Sequence, residues 1–193
     1  MKKLLITGFD PFGGNSVNPS WMAVQQLPEQ IGTFSVRKKM LPTVYGEAAR
    51  TVIAEAENFG PDVIICVGLA AGRGAVTPER IGVNIRQSKT ADNAGNCFSG
   101  EPVVPGAPAG YFATVPIQEM VDAISSLGLP AAISNSAGTF VCNDVLFTLL
   151  HHFDGAATKV GFIHVPALPE QATTGMPLEQ ITAALIAAVQ SCQ

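Results

Sequence analysis

One of the four cysteines stands where a thiol could react. In SNSAGTFVCNDVLF (residues 134–147), Cys142 falls just inside a helix start, after a strand-like run, Gly138 and Thr139. A cysteine on an apolar helix face is ordinarily inert packing. A first-turn position argues the other way. Unpaired backbone N–H groups and the positive helix end favour a thiolate, and the same groups can hold a developing oxyanion. The position therefore predicts a thiol with a lowered pKa.

Such a nucleophile needs a base, and there are three histidines. His151 and His152 lie at the far end of the same predicted helix, roughly 14 Å of rise from the sulfur. They read as dipole-favoured C-terminal residues. His164, in GFIHVPALPEQ, closes the strand that follows the Cys142 helix. In a parallel sheet that strand end shares an edge with the helix start, so the two side chains can meet. An acid should orient the imidazole, but 15 carboxylates compete and local pattern does not choose among them. Glu79 in TPERIGVN stands no higher than Asp10 or Asp92, and it could simply pair with Arg80 at the surface.

A second candidate is the loop TGFDPFGGN (residues 7–15), at the carboxyl end of the first predicted strand, where ligands of open α/β sheets collect. Its glycines match neither phosphate-binding pattern, and no lysine follows. Phe9 and Phe12 are more informative: two rings in one loop form either a cap on the sheet or a slot for a small flat ligand.

The elements that must position these residues alternate. Apolar strand-like runs at 2–9, 33–41, 62–70, 131–136 and 159–167 interleave with helical patterns at 20–27, 47–59, 117–128, 140–153 and 177–190. Residues 79–87 read as extended, and 94–110, rich in Gly and Pro, as a loop within the same unit. The alternation predicts one three-layer α/β/α domain over residues 1–193, with a mostly parallel central sheet.

Composition narrows the partners. A net charge of −4 argues against nucleic acid or an anionic membrane as partner. No apolar run approaches the roughly 20 residues that span a bilayer. The lysines after Met1 lead into too short an apolar run for a signal peptide, so a cytoplasmic protein is expected. Cys66, Cys97, Cys142 and Cys192 form no CxxC pair, which argues against zinc and against a disulfide framework. With 47% hydrophobic and only 13% charged residues, the chain has apolar surface to bury against copies of itself.

The segments TGFDPFGGNSVNPS, VGLAAGR…TPERIGVNI, SNSAGTFVCND and GFIHVPALPEQ, in this order, resemble the pyroglutamyl peptidase I family of cysteine peptidases along essentially the whole chain. The resemblance implies an α/β/α exopeptidase that removes N-terminal pyroglutamate from peptides. It implies no metal or other cofactor and commonly a homotetramer. By motif position it implies a Glu79–Cys142–His164 triad and substrate-binding residues Phe9, Phe12, Phe140 and Val141. Two positions depart from the family pattern. Leu69 stands where a pocket-edge glutamine is usual, and RQSKTADN places Lys89 where an arginine is usual, losing the planar fork. Two rival readings are a non-catalytic member that binds a lactam or peptide terminus, and a small-molecule enzyme such as a nucleoside phosphorylase, for which basic phosphate-binding residues are wanting.

Overall fold

The computed structural model describes residues 1–193. Its first half runs β1 (Lys2–Phe9), α1 (Pro19–Gln26), β2 (Gln30–Ile31), β3 (Phe34–Leu41), α2 (Glu47–Phe59) and β4 (Val63–Leu69). Short strands follow: β5 (Thr77–Pro78), β6 (Ile81–Val83), β7 (Arg86–Gln87), β8 (Ser99–Glu101) and β9 (Gly110–Phe112). The chain closes with α3 (Ile117–Ser126), α4 (Val141–His152), β10 (Lys159–Val165) and α5 (Leu178–Gln190).

The main sheet has the order β2-β3-β1-β4-β10-β5. Its four long strands, β3, β1, β4 and β10, are parallel, and short antiparallel strands close both edges. The near-continuous apolar sequence of β1, β4 and β10 suits strands covered on both faces. Successive side chains alternate between the faces, so each strand feeds two cores. Leu4, Ile6, Val63, Ile65, Val67, Ile163 and Val165 join the core under α1, α3 and α5. Leu5, Ile64, Cys66, Val160 and Phe162 join the core under α2 and α4. The same period of two puts Gly68 and His164 on the α4 face, beyond Cys66 and Phe162. That alternation sets the site.

Local chemistry sets the start of α1 and the end of α2. The Asn18 side chain accepts from Ser20 N–H at 3.1 Å with Pro19 in the first turn of α1, and α2 ends on Gly60 in the left-handed region (φ 64°).

Three expected segments differ. Residues 131–136 form no continuous strand and only bridge Val76 at Ala131 and Glu79 at Ser134. Pro78, which has no N–H, interrupts the pairing between the two bridges, while Ser134 N–H donates to the Pro78 carbonyl at 2.9 Å and the Ser134 carbonyl accepts from Arg80 N–H at 2.8 Å. The extended run 79–87 is split into β6 and β7, which leave the main sheet and pair with β9 and β8. Those partners fall in or just beyond the stretch read as loop; only three residues long, and fully exposed in β8, they carry little apolar periodicity.

Candidate active site

The sheet register brings the candidate residues to one sheet end. Within the β4–β10 pair, Gly68 and His164 are direct neighbours, which places their backbones about 4.8 Å apart. The Cys142 sulfur sits over Gly68: a Cβ added there would lie 2.9 Å from Sγ. Beyond β10, β5 pairs His164 with Thr77, and the Glu79 N–H donates to the Phe162 carbonyl at 2.9 Å. Glu79 thus lies one strand beyond the imidazole. Three segments far apart in sequence converge on one sheet end.

Glu79 and His164 are in direct contact, Oε1 to Nδ1, at 2.7 Å. The same Oε1 accepts from Arg73 Nη1 at 2.7 Å, while Arg73 Nη2 donates to the Ser136 carbonyl at 3.0 Å. Glu79 is fully buried. Burial works to raise its carboxyl pKa, but the hydrogen bond and charge of His164, helped by Arg73, outweigh it and hold the group below its ordinary value. Its other oxygen, Oε2, has no partner, and the nearby Ser134 hydroxyl turns to the Ser136 carbonyl instead. With Nδ1 committed to Glu79, the imidazole is left with Nε2 for chemistry. Arg73 was not anticipated from sequence.

The thiol departs from expectation. Burial, followed by the negative charge of Glu79, pushes Cys142 up to about 12, so the resting sulfur is protonated. Arg73 and the Cys142 backbone N–H pull the other way and are outweighed. No side chain caps α4 at Phe140, so its first-turn N–H groups stay available beside the sulfur.

That first turn is pinned by two buried polar side chains. Asn143 accepts from Val83 N–H at 2.9 Å and donates to the carbonyls of Val83 (2.8 Å) and Ile85 (3.1 Å). Asp144 accepts from Gly46 N–H at 2.7 Å and Arg86 Nε at 2.5 Å. Neither was picked out from sequence, although two adjacent polar residues in an otherwise apolar helix are a readable anomaly.

A cleft of about 320 Å³ opens above the sulfur, walled by Phe9, Phe12, Leu69 and Phe140. Phe12 and Phe140 pack ring to ring at 5.1 Å, and Tyr45 meets Phe140 edge-on at 5.3 Å. Two of the cleft's polar side chains are already engaged. Asn18 donates to the Asp10 carbonyl (2.9 Å), and Thr43 donates to the Asp10 carboxylate (2.7 Å). Such a cleft suits a small, flat, neutral group held by apolar walls and backbone contacts. Val141 lies outside it, fully buried in the core beneath α4. Lys89 stands in a neighbouring groove. No cluster of three or more His, Cys, Asp or Glu side chains is placed to hold a metal ion.

A sequence model of the family described as pyroglutamyl peptidase matches residues 2–193. The chain belongs to the pyroglutamyl peptidase family. It is 46% identical to a pyrrolidone-carboxylate peptidase of Escherichia fergusonii over 89% of this chain and 81% of the relative. It is 44% identical to one from Bacillus licheniformis over 88% and 80% of the two chains. Among solved structures, pyroglutamyl peptidase I of Bacillus amyloliquefaciens superposes with a TM-score of 0.96 at 40% identity, covering 100% and 97% of the chains. The pyrrolidone carboxyl peptidase of Thermococcus litoralis gives 0.95 at 38% identity, covering 100% and 93%. The α/β architecture read from the alternating pattern is therefore that of the pyroglutamyl peptidase family.

Proposed function

We propose that this chain is a cysteine exopeptidase that removes N-terminal pyroglutamate from peptides, with Cys142 as nucleophile, His164 as proton carrier and Glu79 as its orienting anion. The observation that supports the reading is the shared register of Gly68 and His164: the Cys142 sulfur lies over Gly68, and the imidazole of the neighbouring strand is held through Nδ1 by a buried carboxylate at 2.7 Å. Pyroglutamate is a neutral lactam without a free α-amine. Phe9, Phe12, Phe140 and Leu69 offer apolar walls for such a ring.

The steps follow from the geometry. With the ring seated, the Cys142 thiol gives its proton to His164 Nε2, and the sulfur bonds to the pyroglutamyl carbonyl carbon. First-turn N–H groups of α4 hold the oxyanion, and Glu79 stabilises the imidazolium. Collapse breaks the C–N bond, and His164 returns the proton to the departing amine. Water then adds to the thioester with His164 as base, releasing pyroglutamate and restoring the thiol.

A single domain over residues 1–193, assembly as a homotetramer and cytoplasmic residence belong to the same reading. Phe112, 69% exposed, and the exposed Met40 and Ile85 support self-association, and four free cysteines suit a reducing compartment. No helix is long and apolar enough to cross a membrane. The decisive assay is release of aminomethylcoumarin from its pyroglutamyl amide. Wild type is expected to turn it over, and Cys142→Ser to lose nearly all activity while keeping its fold by circular dichroism. A folded wild type without turnover overturns the reading.

A further inference from the structure

A second groove, of about 270 Å³, lies against the other side of the Phe12–Phe140 ring pair that walls the ring cleft. Its remaining lining is polar and includes Ser88, Lys89, Thr90 and Thr139, with no acidic residue. Thr139 and Phe140 lead directly into the turn that carries Cys142, so the groove borders the point where a scissile bond would leave the ring cleft. Its floor is anchored: Thr139 Oγ1 donates to the Gln87 carbonyl at 2.7 Å, and Gln87 N–H donates to the Thr139 carbonyl at 3.0 Å.

The charges around it are unequal. Arg86 is committed to Asp144, and Arg73 to Glu79. The neighbouring carboxylates are committed too: Asp92 accepts from Tyr45, Ala94 and Asn96, and Asp10 from Thr43 and Asn93. Lys89 is exposed and makes no ion pair. It is a free cation in a polar groove on a protein whose net charge is −4.

We propose that this groove receives the residue after pyroglutamate and that Lys89 gives it a preference for an acidic side chain there. The inference rests on the peptidase reading above. A solvent-exposed pair of this kind selects weakly, so roughly a two- to fivefold preference is expected.

The test compares kcat/KM for pyroglutamyl-glutamate amide, pyroglutamyl-glutamine amide and pyroglutamyl-lysine amide, followed by release of the amine. Glutamate is expected to exceed its isostere glutamine two- to fivefold, with lysine lowest. Lys89→Gln should bring the glutamate-to-glutamine ratio to one, Lys89→Glu should invert it, and about 0.5 M salt should compress it in wild type. A wild-type ratio of one overturns the assignment. So does a ratio that survives Lys89→Gln while all three rates fall together, since Lys89 would then serve the reaction without reading the substrate. The uncharged coumarin amide keeps the two claims apart. Turnover of it alongside a flat ratio removes only the subsite, whereas no turnover removes the peptidase reading and the subsite with it.

Discussion

Replacing Gly68 by alanine tests the seat of the sulfur more sharply than removing the sulfur itself. The added Cβ would stand 2.9 Å from Cys142 Sγ and 2.8 Å from Phe162 Cζ, each about half an ångström inside the 3.4 Å where ordinary contact begins. Something must move, and each way out touches the site. Phe162 is almost fully buried and packs on His164 with ring centroids 4.8 Å apart and on Phe9 at 6.3 Å. If the ring yields, it pushes the imidazole; if the sulfur yields, it leaves its place over the strand. A misplacement of 1 Å can cost about 10²-fold in rate, so a shift of half that or more should lower kcat/KM about 10- to 100-fold. Overpacking should also cost about 1–3 kcal/mol, lowering Tm by roughly 3–10 °C. Gly72→Ala is the control, because a Cβ there meets nothing within 4 Å and the backbone is unstrained. The assay is coumarin-amide hydrolysis with thermal unfolding on the same samples. Gly68→Ala within twofold of wild type at an unchanged Tm would refute the placement of the sulfur over β4.

Arg73 is the next residue to probe. Arg73→Met should remove one of the partners of the buried Glu79, raise its carboxyl pKa and move the acid limb of the kcat/KM profile to higher pH, with little change in KM. Arg73→Lys should recover part of this, and an unmoved acid limb in Arg73→Met would show that Arg73 does not act through Glu79. The buried Cys66 thiol predicts alkaline sensitivity. Burial pushes it up to about 12, above the unfolded value near 9. The unfolded chain then loses a proton that the folded chain keeps, and stability should fall between pH 9 and 12, by up to about 1.4 kcal/mol per pH unit from this thiol. Urea midpoints at pH 8 and 10.5 should show a smaller fall in Cys66→Ala, and an identical fall would contradict it.

What could be read from the sequence was whatever depends on period and order. Alternation along KVGFIHV puts His164 on the face of Val160 and Phe162, and strand-then-helix order puts that face under α4. Period and order together thus put Cys142 and His164 at the same sheet end. The third partner could not be chosen the same way. Arg80, next to Glu79 in sequence and its obvious mate, instead bonds Asn135 at 2.7 Å, while Arg73 reaches Glu79 from across the turn that carries β5. Only the family resemblance singled out Glu79 among 15 carboxylates. The thiol pKa was misjudged for a related reason. A helix start is local and visible in sequence, whereas burial against the sheet and the charge of Glu79 arise from chain segments more than 60 residues away. Residues 131–136 make no continuous strand because Pro78, which has no N–H, breaks the pairing between the bridges at Ala131 and Ser134. Direction and face are properties of one segment, and they survive translation into structure. Electrostatics belongs to the whole assembly around a group, so a buried site's reactivity becomes legible only once its neighbours from every strand and helix are in place.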